Sequence, residues 1–223
     1  MLPFPGGLES QANGALILAI LAAVIYLYAR TLPVSWRRSA VKTIPLAALA
    51  WLSFGEGGPW LLTAALALSA LGDLALAQED DDRFFLAGLG AFLAAHVAYV
   101  ALFATGSAGF AIFVVEPWRL AAALAICAFG IVMLLRLWPA LVAAMRPAVL
   151  AYMLAIVAMG VAAFTTQSSA VMVGAVLFIA SDAILATERF LLRPNALLRT
   201  VTGPAIWVTY IAAQIAITLG VLA

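Results

Sequence analysis

The chain has 223 residues, of which 67% are hydrophobic and 9% charged, with a formal net charge of +1. A soluble domain carries about 25% charged residues. A mean hydropathy of +1.16 therefore makes lipid the solvent for most of the exterior. With no basic patch interleaved with aromatics, nucleic acid is not an expected partner.

Cys127 is the single cysteine and lies in an apolar run, so no disulfide can form within the chain and its plain reading is a small buried apolar residue. The first eleven residues carry no positive charge, whereas Arg30, Arg37 and Arg38 follow the first apolar stretch. That order is the reverse of a cleavable leader and reads as a first span that stays in place.

A span needs about 20 mostly apolar residues, fewer if tilted. Eight stretches qualify, at about residues 12–30, 40–54, 59–78, 84–105, 117–136, 146–164, 169–188 and 202–222. The second is the shortest. The breaks fall at Pro33, Gly55 to Pro59, the acidic run Gln78–Arg83, Gly106 to Pro117, Trp138–Pro139, Thr165–Ser169 and Arg193–Pro194. The expected fold class is all-α: a polytopic membrane bundle of eight transmembrane helices forming one domain. The run Glu79–Asp80–Asp81–Asp82 lacks the glycine and spacing of a calcium loop and reads as a solvated turn.

Orientation follows from the cations. With the N-terminus outside, Arg30, Arg37, Arg38, Lys42, Arg83, Arg136, Arg146, Arg189, Arg193 and Arg199 all fall on the inner side, against Arg119 alone on the outer. Both termini are then expected outside a bacterial inner membrane. A short echo links Leu71–Ala77 with Ala180–Ala186, four spans apart and in the same direction. It suggests a parallel four-plus-four repeat.

Two carboxylates stand where lipid is expected. Asp73 is about five residues from the inner end of the third span and Asp182 about six from that of the seventh. At 1.5 Å per residue both are roughly 7–9 Å deep. A carboxylate in a span costs at least ~2.5 kcal/mol, so it normally faces the bundle interior and marks a site. His96 and Tyr99, with Phe92 four residues before, share one face of the fourth span. Trp207, Tyr210 and Gln214 form a stripe on the last. Tyr152 is about two turns into the sixth, and Lys42 is at the inner mouth of the second. His96 and Gln214 are roughly 17–18 Å from the inner surface. Together these residues describe a funnel open to the cytoplasm. Each also has a plain reading: snorkelling or helix-pairing aspartates, satisfied interhelical hydrogen bonds for His96, Tyr99, Tyr152 and Gln214, and a membrane anchor for Lys42. One histidine and one cysteine cannot furnish the several ligands of a zinc hydrolase. No Gly-x-Ser-x-Gly elbow or P-loop is present, and no metal or cofactor is expected.

The segment Gly72–Asp73–Leu74–Ala75–Leu76, with Phe85, Gly88 and Ala91 to Tyr99 around His96, resembles the YhhN family. So does Gly174 to Asp182 including Ser181, followed by Arg189–Phe190. Lys42 with Pro45, Pro147 with Tyr152, and Tyr210 with Gln214 fit the rest of the pattern, so the resemblance runs from about residue 40 to 215. The family includes lysoplasmalogenases, eight-span hydrolases that cleave the vinyl ether bond of lysoplasmalogens. The products are a fatty aldehyde and glycerophosphoethanolamine or glycerophosphocholine. The resemblance implies that activity, with a lysophospholipid as partner.

Vinyl ether hydrolysis begins by protonating the β-carbon, and water then captures the resulting oxocarbenium ion. Glycosidases meet a similar ion with two carboxyls. Asp73 and Asp182 fit those roles, with neither assigned as the acid. His96 and Tyr99 would orient the acid or the water, and Lys42 could meet the phosphate. A transporter or flippase is the second reading, and broken helices facing each other at the midplane would be its mark. A non-catalytic assembly or receptor subunit is the third, but the outer loops are short and plain.

Overall fold

The computed structural model describes residues 2–78, 82–193 and 197–222. Eight long α-helices follow in order: α1 (Gln11–Ala29), α2 (Trp36–Gly55), α3 (Trp60–Leu76), α4 (Asp82–Thr105), then a one-turn α5 (Ile112–Val115), and α6 (Pro117–Leu137), α7 (Arg146–Ala163), α8 (Ser169–Phe190) and α9 (Arg199–Leu222). Six of them, α1, α4, α6, α7, α8 and α9, are long and apolar enough to cross a membrane. The protein is a multi-pass membrane protein. α3 is apolar but has 17 residues. α2 is not short as expected: it has 20 residues, because it starts at Trp36 and takes in Arg37 and Arg38.

Local chemistry sets the helix starts. The hydroxyls of Ser10, Ser35 and Ser168 accept from the backbone N–H of Asn13, Arg38 and Val171 and so cap α1, α2 and α8. Pro117 and Pro147 occupy the first turn of α6 and α7, where the missing N–H costs nothing. Because α2 begins at Trp36, Pro45 lies in its interior. α2 continues through Pro45, and α9 continues through Pro204. The solvated turn expected at Glu79–Asp82 falls on residues 79–81, and the break at Arg193–Pro194 on 194–196. Both lie outside the described residues.

Two compact units divide the chain, residues 1–99 with 221–223, and residues 100–220. In the first, α1 packs on α2 and α2 on α3. Ala12, Ala15, Ala19, Ala22 and Ala29 recur at helical spacing and are all buried, whereas Leu18, Leu21, Val24 and Ile25 are exposed. A face of small residues lets two backbones approach while the large side chains meet lipid. Leu46, Leu49 and Leu52 of α2 and Leu62 and Leu66 of α3 fill the interior.

Within the second unit α6 packs on α7 and α7 on α8. Ile126, Phe164 and Met172 form one buried cluster, and Leu137, Leu141 and Val149 form another. α8 meets α9 at Gly174. A Cβ there would lie 2.9 Å from the Ala213 carbonyl oxygen and 3.0 Å from the Ile217 nitrogen, so only glycine permits this approach. The segments that echo each other in sequence fall on α3 and α8.

Candidate active site

In the first unit, Asp73 occupies the last turn of α3 and is buried. A carboxylate there meets the negative end of the helix dipole. Lys42 of α2 offsets it: its Nζ lies 3.8 Å from Asp73 Oδ1, with side-chain exposures of 13% and 4%. A polar seam continues beside the pair. Gln78 Nε2 donates to Ser39 Oγ at 3.3 Å, Ser39 Oγ donates to the Ser35 carbonyl, and Thr43 Oγ1 donates to the Ser39 carbonyl. The first of these bonds ties the start of α2 to the residue just past α3, and the other two lie within the start of α2.

α4 supplies the apolar wall and the histidine. A Cβ on Gly72 would lie 2.6 Å from the ring of Phe92, so the residue next to Asp73 must lack a side chain for α3 and α4 to meet here. Phe92, His96 and Tyr99 are buried, the last two completely. This agrees with the shared face read from their spacing. His96 Nδ1 lies 2.7 Å from the Phe92 carbonyl oxygen.

In the second unit Asp182 of α8 is partly buried and accepts a hydrogen bond from the Tyr152 hydroxyl of α7 on Oδ2. The neighbouring Ser181 donates to the Ile206 carbonyl of α9 at 3.0 Å. Ser181 thus joins two helices. Tyr210 meets Phe178 edge-on at 5.5 Å and Trp207 at 5.9 Å, and Gln214 one turn further on is completely buried. The stripe read on the last span is an inward face of α9.

The helix ends alter one expectation. α3 stops at Leu76, three residues past Asp73, and α8 runs on to Phe190, eight past Asp182. Along their own helices the carboxylates are about 4.5 and about 12 Å from the end, against the nearly equal distances expected. α3 ended two residues earlier than expected, and α8 continued past residue 188 through Arg189 and Phe190.

Four polar residues escaped the site reading. Arg38, counted only as an inner cation, is buried in the first turn of α2. Asn13 is completely buried. Its Oδ1 accepts from the Phe4 N–H and its Nδ2 donates to the Phe4 and Gly7 carbonyls. Glu188, at the end of α8, accepts from the Thr202 hydroxyl and lies 3.9 Å from Arg199 Nη1, and Arg199 Nη2 donates to the Glu188 carbonyl. Arg119 is buried, and its contacts fasten the turn between α7 and α8. All four lie in the first or last turn of a helix, among other polar residues. Spacing alone does not name the partners of Asn13, Glu188 and Arg119. Among the described residues no group of three or more His, Cys, Asp or Glu side chains is placed to hold a metal ion.

Two curated proteins named lysoplasmalogenase, from Mycobacterium bovis and Mycobacterium tuberculosis, are each 35% identical to this chain over 175 residues. The matches cover 74% of this chain and 61% of each relative, so the chain spans about three fifths of their length. No solved structure matches. Residues 34–221 match the YhhN family model. That stretch begins just before α2, runs to the end of α9 and contains Lys42, Asp73, His96, Tyr99, Tyr152, Ser181, Asp182, Tyr210 and Gln214, and on this match the chain belongs to the YhhN family.

Proposed function

We propose that the protein is a membrane hydrolase that cleaves the vinyl ether bond of lysoplasmalogens to a fatty aldehyde and glycerophosphoethanolamine or glycerophosphocholine. The observation that carries this reading is that both intramembrane carboxyls are engaged by a side chain from a neighbouring helix, Asp73 by Lys42 and Asp182 by Tyr152. The name of the two mycobacterial relatives supports the same substrate class.

In this mechanism one carboxyl protonates the β-carbon of the vinyl ether, and the other, as carboxylate, steadies the oxocarbenium ion. Water adds to the ion, and the hemiacetal collapses to aldehyde and alcohol. Asp73 and Asp182 share these two tasks. Tyr152 and Ser181 orient Asp182, and Lys42 meets the substrate phosphate. Tyr99, Tyr210 and Gln214 line the path of the lipid. The helix surfaces, rich in exposed leucine and valine, suit an acyl tail.

The reading includes a topology. All eight long helices span the bacterial inner membrane, with both termini outside and the reaction centre open to the cytoplasm. The two groups of four helices form a parallel repeat, with Asp73 and Asp182 as its corresponding residues.

Purified protein in detergent, given a lysoplasmalogen, releases aldehyde that a coupled dehydrogenase measures without any membrane gradient. Asp73→Asn and Asp182→Asn each abolish the release while the protein remains folded. Turnover retained in either purified variant removes that aspartate from the mechanism. Substrate movement across vesicles without aldehyde supports a transporter instead.

A further inference from the structure

Arg146 opens α7, and its guanidinium lies over the Trp138 ring, with Cζ 5.1 Å from the ring centre. Its Nε is shut away from the surface and has no hydrogen-bond acceptor among the described residues. A buried donor without an acceptor is costly and is ordinarily met by water or an ion. The carboxylates of the second unit are engaged elsewhere. Between Glu116 and Asp182 the sequence has no acidic residue. Glu116 pairs with Arg119, Asp182 accepts from Tyr152, and Glu188 meets Thr202 and Arg199. These are the only acids in residues 100–220, which hold six arginines. The helix adds to the demand for an anion. A cation is disfavoured at a helix N-terminus, where the dipole is positive. α7 has no acidic residue in its first turn and no side-chain cap. Arg136, by contrast, stands in the last turn of α6, where a cation suits the dipole.

We propose that Arg146, held on Trp138, binds the phosphate of an anionic phospholipid whose acyl chains lie along α6. The buried cluster of Leu137, Leu141 and Val149 anchors the chain on both sides of the pair, so the site is set before the lipid arrives. Stacking occupies one face of the guanidinium and leaves its N–H groups directed in the plane, the geometry that meets two phosphate oxygens. Leu135 and Val142, before and after Trp138, are exposed, as are Ile131 and Val132 further along α6. That apolar surface fits acyl chains and favours a lipid over a free anion, and tryptophan is at home at the headgroup level. The missing acids set the headgroup class. An ammonium headgroup would bring a cation to a segment with no carboxylate to receive it, so the preferred lipid has a net negative charge. This separates the site from the zwitterionic substrate of the hydrolase reading, on which the proposal does not depend. In the proposed topology the loop faces the cytoplasmic leaflet.

Two measurements on the full chain in detergent test the assignment. The first needs no variant. Wild-type protein is melted with phosphatidylglycerol, with phosphatidylcholine of the same acyl chains, and with inorganic phosphate at the same concentration. Phosphatidylglycerol is expected to raise the melting temperature most. Equal shifts with the two lipids overturn the preference for an anionic headgroup, and an equal shift with inorganic phosphate overturns the lipid. The second measurement titrates phosphatidylglycerol and follows the first bound lipid by native mass spectrometry. Arg146→Gln is expected to bind it about tenfold to hundredfold more weakly than wild type, the loss of a charge-assisted hydrogen bond. Arg146→Lys keeps the charge without the planar stack and is expected to fall between the two. Arg193→Gln removes an exposed cation that lies away from the loop and is expected to bind as wild type does. An equal loss in Arg193→Gln and Arg146→Gln shows diffuse attraction by positive charge and overturns the site. Unchanged binding in Arg146→Gln overturns it as well. Should Arg146→Gln not fold, Trp138→Leu, which removes the ring and keeps the cation, takes its place, and wild-type affinity in that variant rejects the pair.

Discussion

Lys42 Nζ lies 3.8 Å from Asp73 Oδ1, and the two side chains are nearly withdrawn from the surface. The pair joins the first half of α2 to the last turn of α3. A buried ion pair adds little net stability, but removing one partner leaves the other uncompensated and costs about 3–5 kcal/mol. Lys42→Met is expected to lower the melting temperature in detergent strongly. Lys42→Arg, which keeps the charge, is expected to retain most of it. Equal melting of the Met variant and wild type would show that the pair carries no strain of this kind.

Tyr152→Phe removes the donor to Asp182 Oδ2 and leaves the ring in place. A hydrogen bond to a charged or acidic group is worth about 1.5–3 kcal/mol. Expressed in the transition state, that is about a tenfold to hundredfold fall in kcat. The expected split is a lower kcat with little change in KM, read from aldehyde release by the folded variant.

Glycine contacts separate tight from open packing. At Gly174 the obstruction is backbone of α9, which cannot give way by turning a rotamer. Gly174→Ala is expected to cost about 1–3 kcal/mol through overpacking. Nothing lies within 4 Å of a Cβ at Gly14, so Gly14→Ala is expected to be neutral or stabilising by up to about 1 kcal/mol. Thermal denaturation of the two single variants, side by side, measures the contrast.

Arg119 Nε donates to Glu116 Oε2 at 2.9 Å, and its Nη1 reaches the carbonyls of Phe164 at 3.1 Å and Thr166 at 2.5 Å. The hydrogen bond from Arg119 holds the Glu116 carboxyl below the ordinary carboxylate range. Its contribution to stability is therefore complete above the unfolded pKa and is lost as pH falls through the lower folded value. Glu116→Gln is expected to remove that part of the acid sensitivity. Arg119→Met, which strips donors from two carbonyls, is expected to destabilise at every pH by about 1.5–3 kcal/mol. Melting curves of the three proteins at pH 7 and in mild acid check both statements.

The proposed orientation is tested by labelling. With Cys127 replaced by Ser, a cysteine at Gln167, an exposed residue between α7 and α8, is expected to react with an impermeant thiol reagent added to intact cells. A cysteine at Leu197, 87% exposed between α8 and α9, is expected to react only after permeabilisation. The opposite pattern reverses the topology.

Hydropathy and punctuation by themselves determined the helices, because a chain in lipid must satisfy its backbone within each span and because serine and proline mark helix starts. Expected and observed bounds for 117–136 and Pro117–Leu137, or 146–164 and Arg146–Ala163, differ by a residue. Spacing was also enough to put Phe92, His96 and Tyr99 on one buried face and Trp207, Tyr210 and Gln214 on another. Only the tertiary structure decided the partners: Lys42 for Asp73, Tyr152 for Asp182, the Ile206 carbonyl for Ser181, and backbone carbonyls for Arg119. It also decided that α2 starts early enough to bury Arg38. The physical reason is that periodicity sets which way a side chain points along its own helix. What it meets depends on which helix lies opposite and how closely, and that approach is set by single residues such as Gly72 and Gly174 whose contribution is the absence of a side chain.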